Sequence, residues 1–287
     1  MPAGALVATE PGGQNGGGPW AAWVGVSCQR ILDCATSWYY LGRPPEVGQH
    51  IDIRILSSNL GRGQADAASL VEFAERNADV ITVLELTSEA AERFSQVGID
   101  EAFPYSLRVF GGTSGTGVWS RYPLTALSTL KRPGNTTSAA RLRVPGVRFD
   151  PLLAAVHIKT PAGGDDEKTV DDWRLALAGA KDELNYLARA AGPAAVIIGG
   201  DFNSTPDVRQ FRDLLTNGYH DAVEQTGAGF APTYPSNTWH PPLLVIDHVL
   251  TRNAAATSIR TVDNPGCDHR ALNATIKVPL DPTTFFG

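Results

Sequence analysis

A chain of 287 residues with 43% hydrophobic composition can bury a large core, as one sizeable α/β domain or as two small ones. Its formal charge of −6 gives no basic footprint for tight, sequence-independent binding of nucleic acid through phosphate neutralisation, although cleavage of a nucleic acid with the help of bound cations stays open. No uninterrupted apolar run approaches the roughly 20 residues that span a bilayer, and the first basic residue, Arg30, comes too late for the charged opening of a secretory signal. The chain therefore reads as soluble; a cell-envelope or secreted setting would need a further N-terminal segment.

Residues 1–19 are dominated by Gly and Pro, as in Gly16-Gly17-Gly18-Pro19, and cannot bury enough surface to offset their ordering entropy, so they read as a flexible tail. Residues 20–50 are aromatic-rich without a period and read as a packing arm or a tether. A compact catalytic domain is then expected over residues 51–287. Three cysteines make no disulfide framework and match no zinc spacing; Cys28 and Cys34 could pair in an oxidising compartment.

At Ile51 the pattern changes, and Ile51, Ile53 and Ile55 alternate with Asp52 and Arg54 as a strand that ends at Ser57-Ser58-Asn59. Gln64 to Arg76 predicts a helix, with Ala67, Leu70, Val71 and Ala74 on one stripe. Val80 to Leu84 is a buried strand, followed by a helix capped by Thr87 or Ser88. Asn59 and Glu85 thus fall at strand C-termini in a βαβ context, where α/β sheets place ligands. From Tyr105 to His157 short strands and turns such as Tyr122-Pro123 and Pro145-Gly146 predict an antiparallel meander.

Val170 to Ala190 predicts a second helical block, and Ala195 to Ile198 a strand leading into Gly199-Gly200-Asp201-Phe202-Asn203. Thr205 is placed to cap a helix that opens at Pro206. Strands return at Val245 to Thr251, Ser258 to Val262 and Ala271 to Val278. The two halves share an outline, and no polar linker divides residues 51–278, so one core with two packed mixed β-sheets and helices on both outer faces is expected: a four-layer α/β sandwich.

Polar residues recur where apolar runs stop: Asn59, Glu85, His157, Asp201 and Asn203, Asp247 and His248, and the Asp268-His269 pair before the last strand. Singly, each reads as a solvated strand terminus; together they point to a shared cleft. Their types suit one task. A hard cation such as Mg²⁺ takes oxygen ligands and uses one or two carboxylates, as Glu85 with the amide oxygen of Asn59 would supply. With no cluster of His and Cys, a hard metal is preferred to zinc. His269 and His157 can donate to phosphate oxygens or move protons, Asp201 can orient water, Asn203 can hold a phosphate and Asp247 can fix an imidazole.

Those stations, together with Ser114-Gly115-Thr116-Gly117-Val118-Trp119-Ser120-Arg121-Tyr122-Pro123, Gly200-Asp201-Phe202-Asn203, Ile246-Asp247-His248 and Cys267-Asp268-His269, resemble the endonuclease/exonuclease/phosphatase superfamily, in the expected order over residues 51–278. The resemblance implies a phosphoesterase dependent on Mg²⁺ or Mn²⁺. In it Glu85 is the principal metal ligand, assisted by Asn59 and Asp268, and His269 is the catalytic histidine held by Asp247. Asp201 would align the attacking water, Asn203 would contact the scissile phosphate, and His157 would stabilise the phosphorane or protonate the leaving oxygen. The chain departs from the family in having Cys267 where Ser is common and Leu84 where Gln is common.

Arg62, Arg141 and Lys159 are further candidates for phosphate contacts, Lys159 because strand alternation would point it with His157. Tyr234, Trp239 and His240 lie in a Pro-rich loop that reads as a substrate wall or as plain packing. The acidic run Asp165-Asp166-Glu167 reads as a solvated loop, and His220 and His248 as structural residues. The expected partner is a phosphate ester, whether nucleic acid, phospholipid headgroup or small molecule, with no zinc or nucleotide cofactor and a monomeric chain. The rivals are a non-catalytic binding module on the same scaffold, which would be expected to lack one of Glu85, Asp201 or His269, and a zinc or serine hydrolase, for which no His pair or Gly-x-Ser-x-Gly elbow exists.

Overall fold

The computed structural model describes residue 42, residues 44–160 and residues 167–285. Cys28, Cys34, the Gly/Pro-rich stretch, most of the aromatic segment and Asp165-Asp166 lie outside the described residues. In chain order the elements are β1 (His50–Asn59), α1 (Ala67–Asn77), β2 (Val80–Leu86), α2 (Ser88–Gln96), α3 (Ile99–Ala102), β3 (Tyr105–Val109), β4 (Gly115–Ser120), β5 (Leu124–Leu127), β6 (Asn135–Leu142) and β7 (Leu152–Ile158). There follow α4 (Glu167–Ala191), β8 (Val196–Asp201), α5 (Arg209–Leu214), β9 (Tyr219–Asp221), α6 (Ala222–Thr226), β10 (Asp247–Arg252), β11 (Ala255–Val262) and β12 (Ala271–Pro279).

The strands form two six-stranded mixed sheets, β11-β12-β1-β2-β4-β3 and β5-β6-β7-β8-β10-β9. Each holds one parallel pair, β1 with β2 and β7 with β8, amid antiparallel neighbours. In both cases a helix joins the pair, α1 in the first sheet and α4 in the second, because parallel strands need a crossover. Alternation along the strands sends Ile53, Ile55, Leu153, Ile197, Val249 and Ile276 into the space between the sheets. The opposite faces pack under helices: Leu152, Val156 and Ile198 beneath Leu177 and Leu184 of α4, and Ile81 with Trp119 beneath Val71 of α1 and Phe94 of α2. Each such side chain contributes about 1.5–3 kcal/mol on full burial. The result is a four-layer α/β sandwich. No helix of the described residues is long and apolar enough to cross a membrane.

Side-chain caps set the starts of α1 and α2. Asp66 accepts a hydrogen bond from the Ser69 amide at 2.8 Å, so α1 opens at Ala67 and not at Gln64, and Thr87 accepts from the Ala90 amide at 3.1 Å. The cap expected at Thr205 does not form: its hydroxyl turns to the Asp207 carboxylate, and α5 starts at Arg209. The strands between Tyr105 and His157 are not one meander. β3 and β4 close the first sheet, and the chain crosses to β5 of the second at Arg121-Tyr122-Pro123, where Arg121 is fixed to the carbonyls of Ala78 and Glu75.

Candidate active site

Asn59 ends β1, and the chain then turns through Gly61, Arg62 and Gly63, with φ of 54°, 56° and 76°. This turn aims two amides: Gly61 N donates to Asn59 Oδ1 at 2.9 Å, and Arg62 N donates to Glu85 Oε2 at 2.7 Å. Glu85 itself sits in a β-bulge, because Leu84 pairs with Thr116 and Leu86 with Gly115, leaving Glu85 without an opposite residue. Its φ of 54° is a left-handed conformation that costs on the order of 1–3 kcal/mol for a residue with a Cβ. Opposite the bulge only glycine fits, since a Cβ on Gly115 would collide with the carbonyl oxygen of Leu86.

The second sheet contributes a row. His157 stands in register with Asp201, and Asp201 with Asp247, so three neighbouring strands present three polar side chains side by side. Asp201 Oδ2 accepts from Asn59 Nδ2 at 2.9 Å, which ties the ends of both parallel pairs together. His157 Nε2 lies 3.5 Å from Glu85 Oε1. His269 Nδ1 contacts Asp247 Oδ2 at 2.8 Å, while its Nε2 lies 3.9 Å from Asp201 Oδ2. Asn203, with φ of 45°, donates from its amide nitrogen to Asp201 Oδ1 at 2.8 Å and from Nδ2 to the Ile158 carbonyl at 2.9 Å. Tyr234 packs against the His269 ring with centroids 4.9 Å apart.

Burial and crowding set the charges. Asp201 is pushed up to about 7, first by burial and then by the Asp247 charge, against the pull of His269 and two hydrogen bonds. Burial would push the His269 imidazolium down, but Asp247, with Asp201 and Asp268 behind it, outweighs that and holds it up at about 10. His157 goes the other way: burial lowers it further than Glu85 raises it, and the neighbouring His269 adds to the lowering. The cleft therefore contains one imidazole held as a cation and one held neutral, with different capacities for proton transfer. Burial also lifts the Cys267 thiol to about 12, which leaves it unreactive. Its Sγ donates to the Asn59 carbonyl at 3.2 Å and accepts from His269 N at 3.4 Å, a use a hydroxyl would serve equally.

Asn59, Glu85, His157, Asp201, Asn203, Asp247 and His269 come together in this cleft. Asp268 stands at its edge, half-buried, with Oδ1 3.7 Å from Cys267 Sγ. Arg62 is exposed and serves through its backbone amide. Arg141 is not at the cleft: it pairs with Leu152, at the far end of β7 from His157, and its guanidinium donates to the Ala190 carbonyl at 2.5 Å. Lys159 lies just beyond the end of β7, so alternation no longer governs it; it turns to α4, with Nζ 3.4 Å from Asp172 Oδ2. Trp239, 96% exposed, and His240 lie on the loop whose base at Ser236 donates to the Asp268 carbonyl. His220 lies at the far end of the second sheet, opposite Thr251, and His248 points behind it.

Two positioning residues had no signal in the sequence. Asn264 donates to the Asn59 carbonyl at 2.9 Å and to Ser58 Oγ at 3.1 Å, yet an Asn before Pro-Gly reads as an ordinary turn former. Trp173 donates to the Asn203 carbonyl at 3.1 Å, whereas the sequence shows it only as part of a helix stripe.

Glu85, His157 and Asp201 offer donor atoms within 4.8 Å of one another, a donor set able to hold a divalent cation; Asp201, Asp247 and His269 lie equally close, but His269 ligates only after losing its proton. A cation would neutralise a buried group of carboxylates and engage Asp247 Oδ1, which has no hydrogen-bond partner among the described residues, or the open edge of Glu85. One expectation needs correcting. Asn59 turns its NH₂ toward Glu85 and Asp201 and spends Oδ1 on the Gly61 amide, so its oxygen is not aimed at Glu85.

No curated protein is significantly similar in sequence. Among solved structures, an endonuclease/exonuclease/phosphatase family protein from Bacteroides thetaiotaomicron superposes with a TM-score of 0.62 at 12% identity, covering 80% of this chain and 99% of its own. D. rerio TDP2 humanized by 14 mutations gives 0.62 at 16% identity, covering 78% and 98%. A mannosyl-6-phosphatase of B. thetaiotaomicron gives 0.57 at 13%, covering 78% and 99%. At these identities the likeness establishes the fold. The sequence profile of the Endonuclease/Exonuclease/phosphatase family matches residues 56–273, and with the two-sheet frame this assigns the chain to that family of phosphoester-hydrolysing enzymes.

Proposed function

We infer that this chain is a divalent-metal-dependent phosphoesterase that hydrolyses phosphodiester or phosphomonoester bonds by in-line attack of water. The observation that carries this reading is the 2.9 Å bond between Asn59 and Asp201, which brings the ends of both parallel pairs into one cluster of carboxylates and imidazoles. Mg²⁺ or Mn²⁺, held by Glu85 with Asp268 or with Asn59 after its carboxamide turns over, would polarise the phosphoryl oxygen and offset its negative charge. Asp201 orients the attacking water and accepts its proton as the new P–O bond forms. Asn203 would hold a phosphoryl oxygen by redirecting to it the Nδ2 hydrogen that otherwise reaches Asp201 Oδ2 at 3.2 Å. The neutral His157 and the cationic His269 stand on the cleft wall to stabilise charge on phosphorus or to pass a proton to the leaving oxygen, with Asp247 fixing the His269 ring.

D. rerio TDP2 has been solved with a single-strand DNA product, and the B. thetaiotaomicron neighbour is a mannosyl-6-phosphatase; they support phosphate esters as the substrate class and span diesters and monoesters. All cluster residues come from one chain, so a monomer suffices; light scattering after gel filtration checks it. The deciding assay offers bis-p-nitrophenyl phosphate, plasmid DNA, RNA, phosphoinositides and sphingomyelin with Mg²⁺, Mn²⁺ or a chelator. Turnover should need the metal, and Glu85→Ala and His269→Ala should each lower it at least about 100-fold. Near-normal rates in either variant would overturn the roles of Glu85 and His269, and an inert wild type would favour a binding module.

A further inference from the structure

Asp247 and His248 are consecutive on β10 and point to opposite faces. Asp247 reaches the cleft, while His248 turns into the layer behind the second sheet and is fully buried. Its Nδ1 lies 2.6 Å from Asp221 Oδ2 and its Nε2 lies 3.0 Å from the Ser204 carbonyl oxygen. Phe211 packs over the ring at 4.1 Å between centroids, and Phe202 meets it edge-on at 5.8 Å. A carbonyl only accepts, so Nε2 donates to it, while Nδ1 faces the Asp221 carboxylate. Asp221 Oδ1 accepts from the Val223 amide at 2.8 Å, which fixes the carboxylate in turn.

A polar pair in an apolar layer is poor evidence for stability, because desolvation offsets its attraction. What this pair grips is informative. Ser204 follows Asn203, the residue with φ of 45° in the turn that also carries Asp201. Trp173 and the Ile158 carbonyl hold that turn elsewhere, at the Asn203 carbonyl and side chain. We propose that His248, backed by Asp221, is a positioning residue for the reaction: it fixes the Asp201–Ser204 turn from behind and so sets where the Asp201 carboxylate and the Asn203 amide stand in the cleft. This rests on the phosphoesterase reading above.

The test uses the full chain with bis-p-nitrophenyl phosphate and saturating Mg²⁺. His248→Phe, which fills the space but donates nothing, should lower kcat about 10- to 100-fold, as loss of an outer support does. KM should move less than kcat, because the placement of the turn matters most in the transition state. His248→Gln, whose carboxamide can still donate to the Ser204 carbonyl, should recover most of kcat. A purely structural role predicts the reverse: lower melting temperature, unchanged kcat per folded molecule, and no advantage of Gln over Phe. Should His248→Phe fail to fold, Asp221→Asn decides through hydrogen exchange, with residues 199–208 exchanging faster than in wild type and residues 152–158 unchanged. Wild-type exchange across residues 199–208, or full activity of His248→Phe, overturns the proposal. A wild type inert toward every ester sinks the phosphoesterase reading instead, and exchange alone then decides whether the turn is held from behind.

Discussion

The space between the two sheets holds two chemically different populations on one continuous ladder. At one end Ile53, Ile55, Leu153, Ile197 and Ile276 interdigitate as an ordinary core. At the other, along the same strands and with the same alternation, stand Asn59, His157 and Asp201. Between them Ser57, Thr82 and Thr116 bury hydroxyls without a hydrogen-bond partner among the described residues. Gly199 makes this layer possible, because a Cβ there would collide with Thr82 Oγ1 and Ser57 Oγ. One backbone frame thus serves both ends, and only side-chain chemistry separates the part that holds the molecule together from the part that would act.

If that division is real, substitutions at the two ends should fail differently. Asp201→Asn removes a carboxylate that burial already disfavours, so activity should fall about 10²- to 10⁴-fold while the melting temperature holds or rises. Leu153→Ala at the apolar end should cost about 2–5 kcal/mol in chemical denaturation and leave kcat per folded molecule unchanged. Gly199→Ala, on the boundary, should do some of both: about 1–3 kcal/mol from overpacking, with reduced turnover because Asp201 lies two residues on. A variant there that lost stability alone would separate the two ends further than the close packing suggests.

Smaller effects sharpen the contrast away from the cleft. Glu183, buried on α4, accepts from the Leu130 amide at 2.7 Å, and burial raises its carboxyl above the ordinary value. The folded state then holds its proton over a range where the unfolded state has released it. Stability falls as pH rises from the ordinary carboxylate value through the raised one and is flat above. Glu183→Gln should raise the melting temperature at pH 8 and leave it unchanged near pH 3. Arg141→Met, far from the cleft, should leave turnover with every ester unaltered.

The same contrast explains how far the sequence could be read. Period-two alternation located β1 through Ile51, Ile53 and Ile55, while unbroken apolar runs ending at Glu85, His157 and Asp201 located β2, β7 and β8, and the two-sheet frame followed from the matching halves. Polarity misled at the strand ends. Ala195 to Ile198 looked like the whole of β8, yet the ladder runs on through Gly199, Gly200 and Asp201, with Gly199 and Asp201 buried against the first sheet and Gly200 against Val156 and Phe202 on the other face. Cleft residues adjoining apolar runs were therefore visible, while those reaching in from turns were not: Asn264 acts through a contact 205 positions away along the chain. Lys159 misled for a related reason, since a strand pattern says which face a residue shares but not where the strand stops, and Arg141, chosen for its guanidinium, pairs at the far end of β7.

The bulge at Glu85 has an evolutionary corollary. Because Leu84 and Leu86 make the ladder contacts on either side, the sheet makes no demand on the residue between them, and its left-handed backbone would welcome glycine. A descendant chain could exchange that carboxylate at little expense to its architecture. Inactive siblings on this frame should accordingly be easy to generate, and inheritance of the scaffold is a poor guide to inheritance of the chemistry.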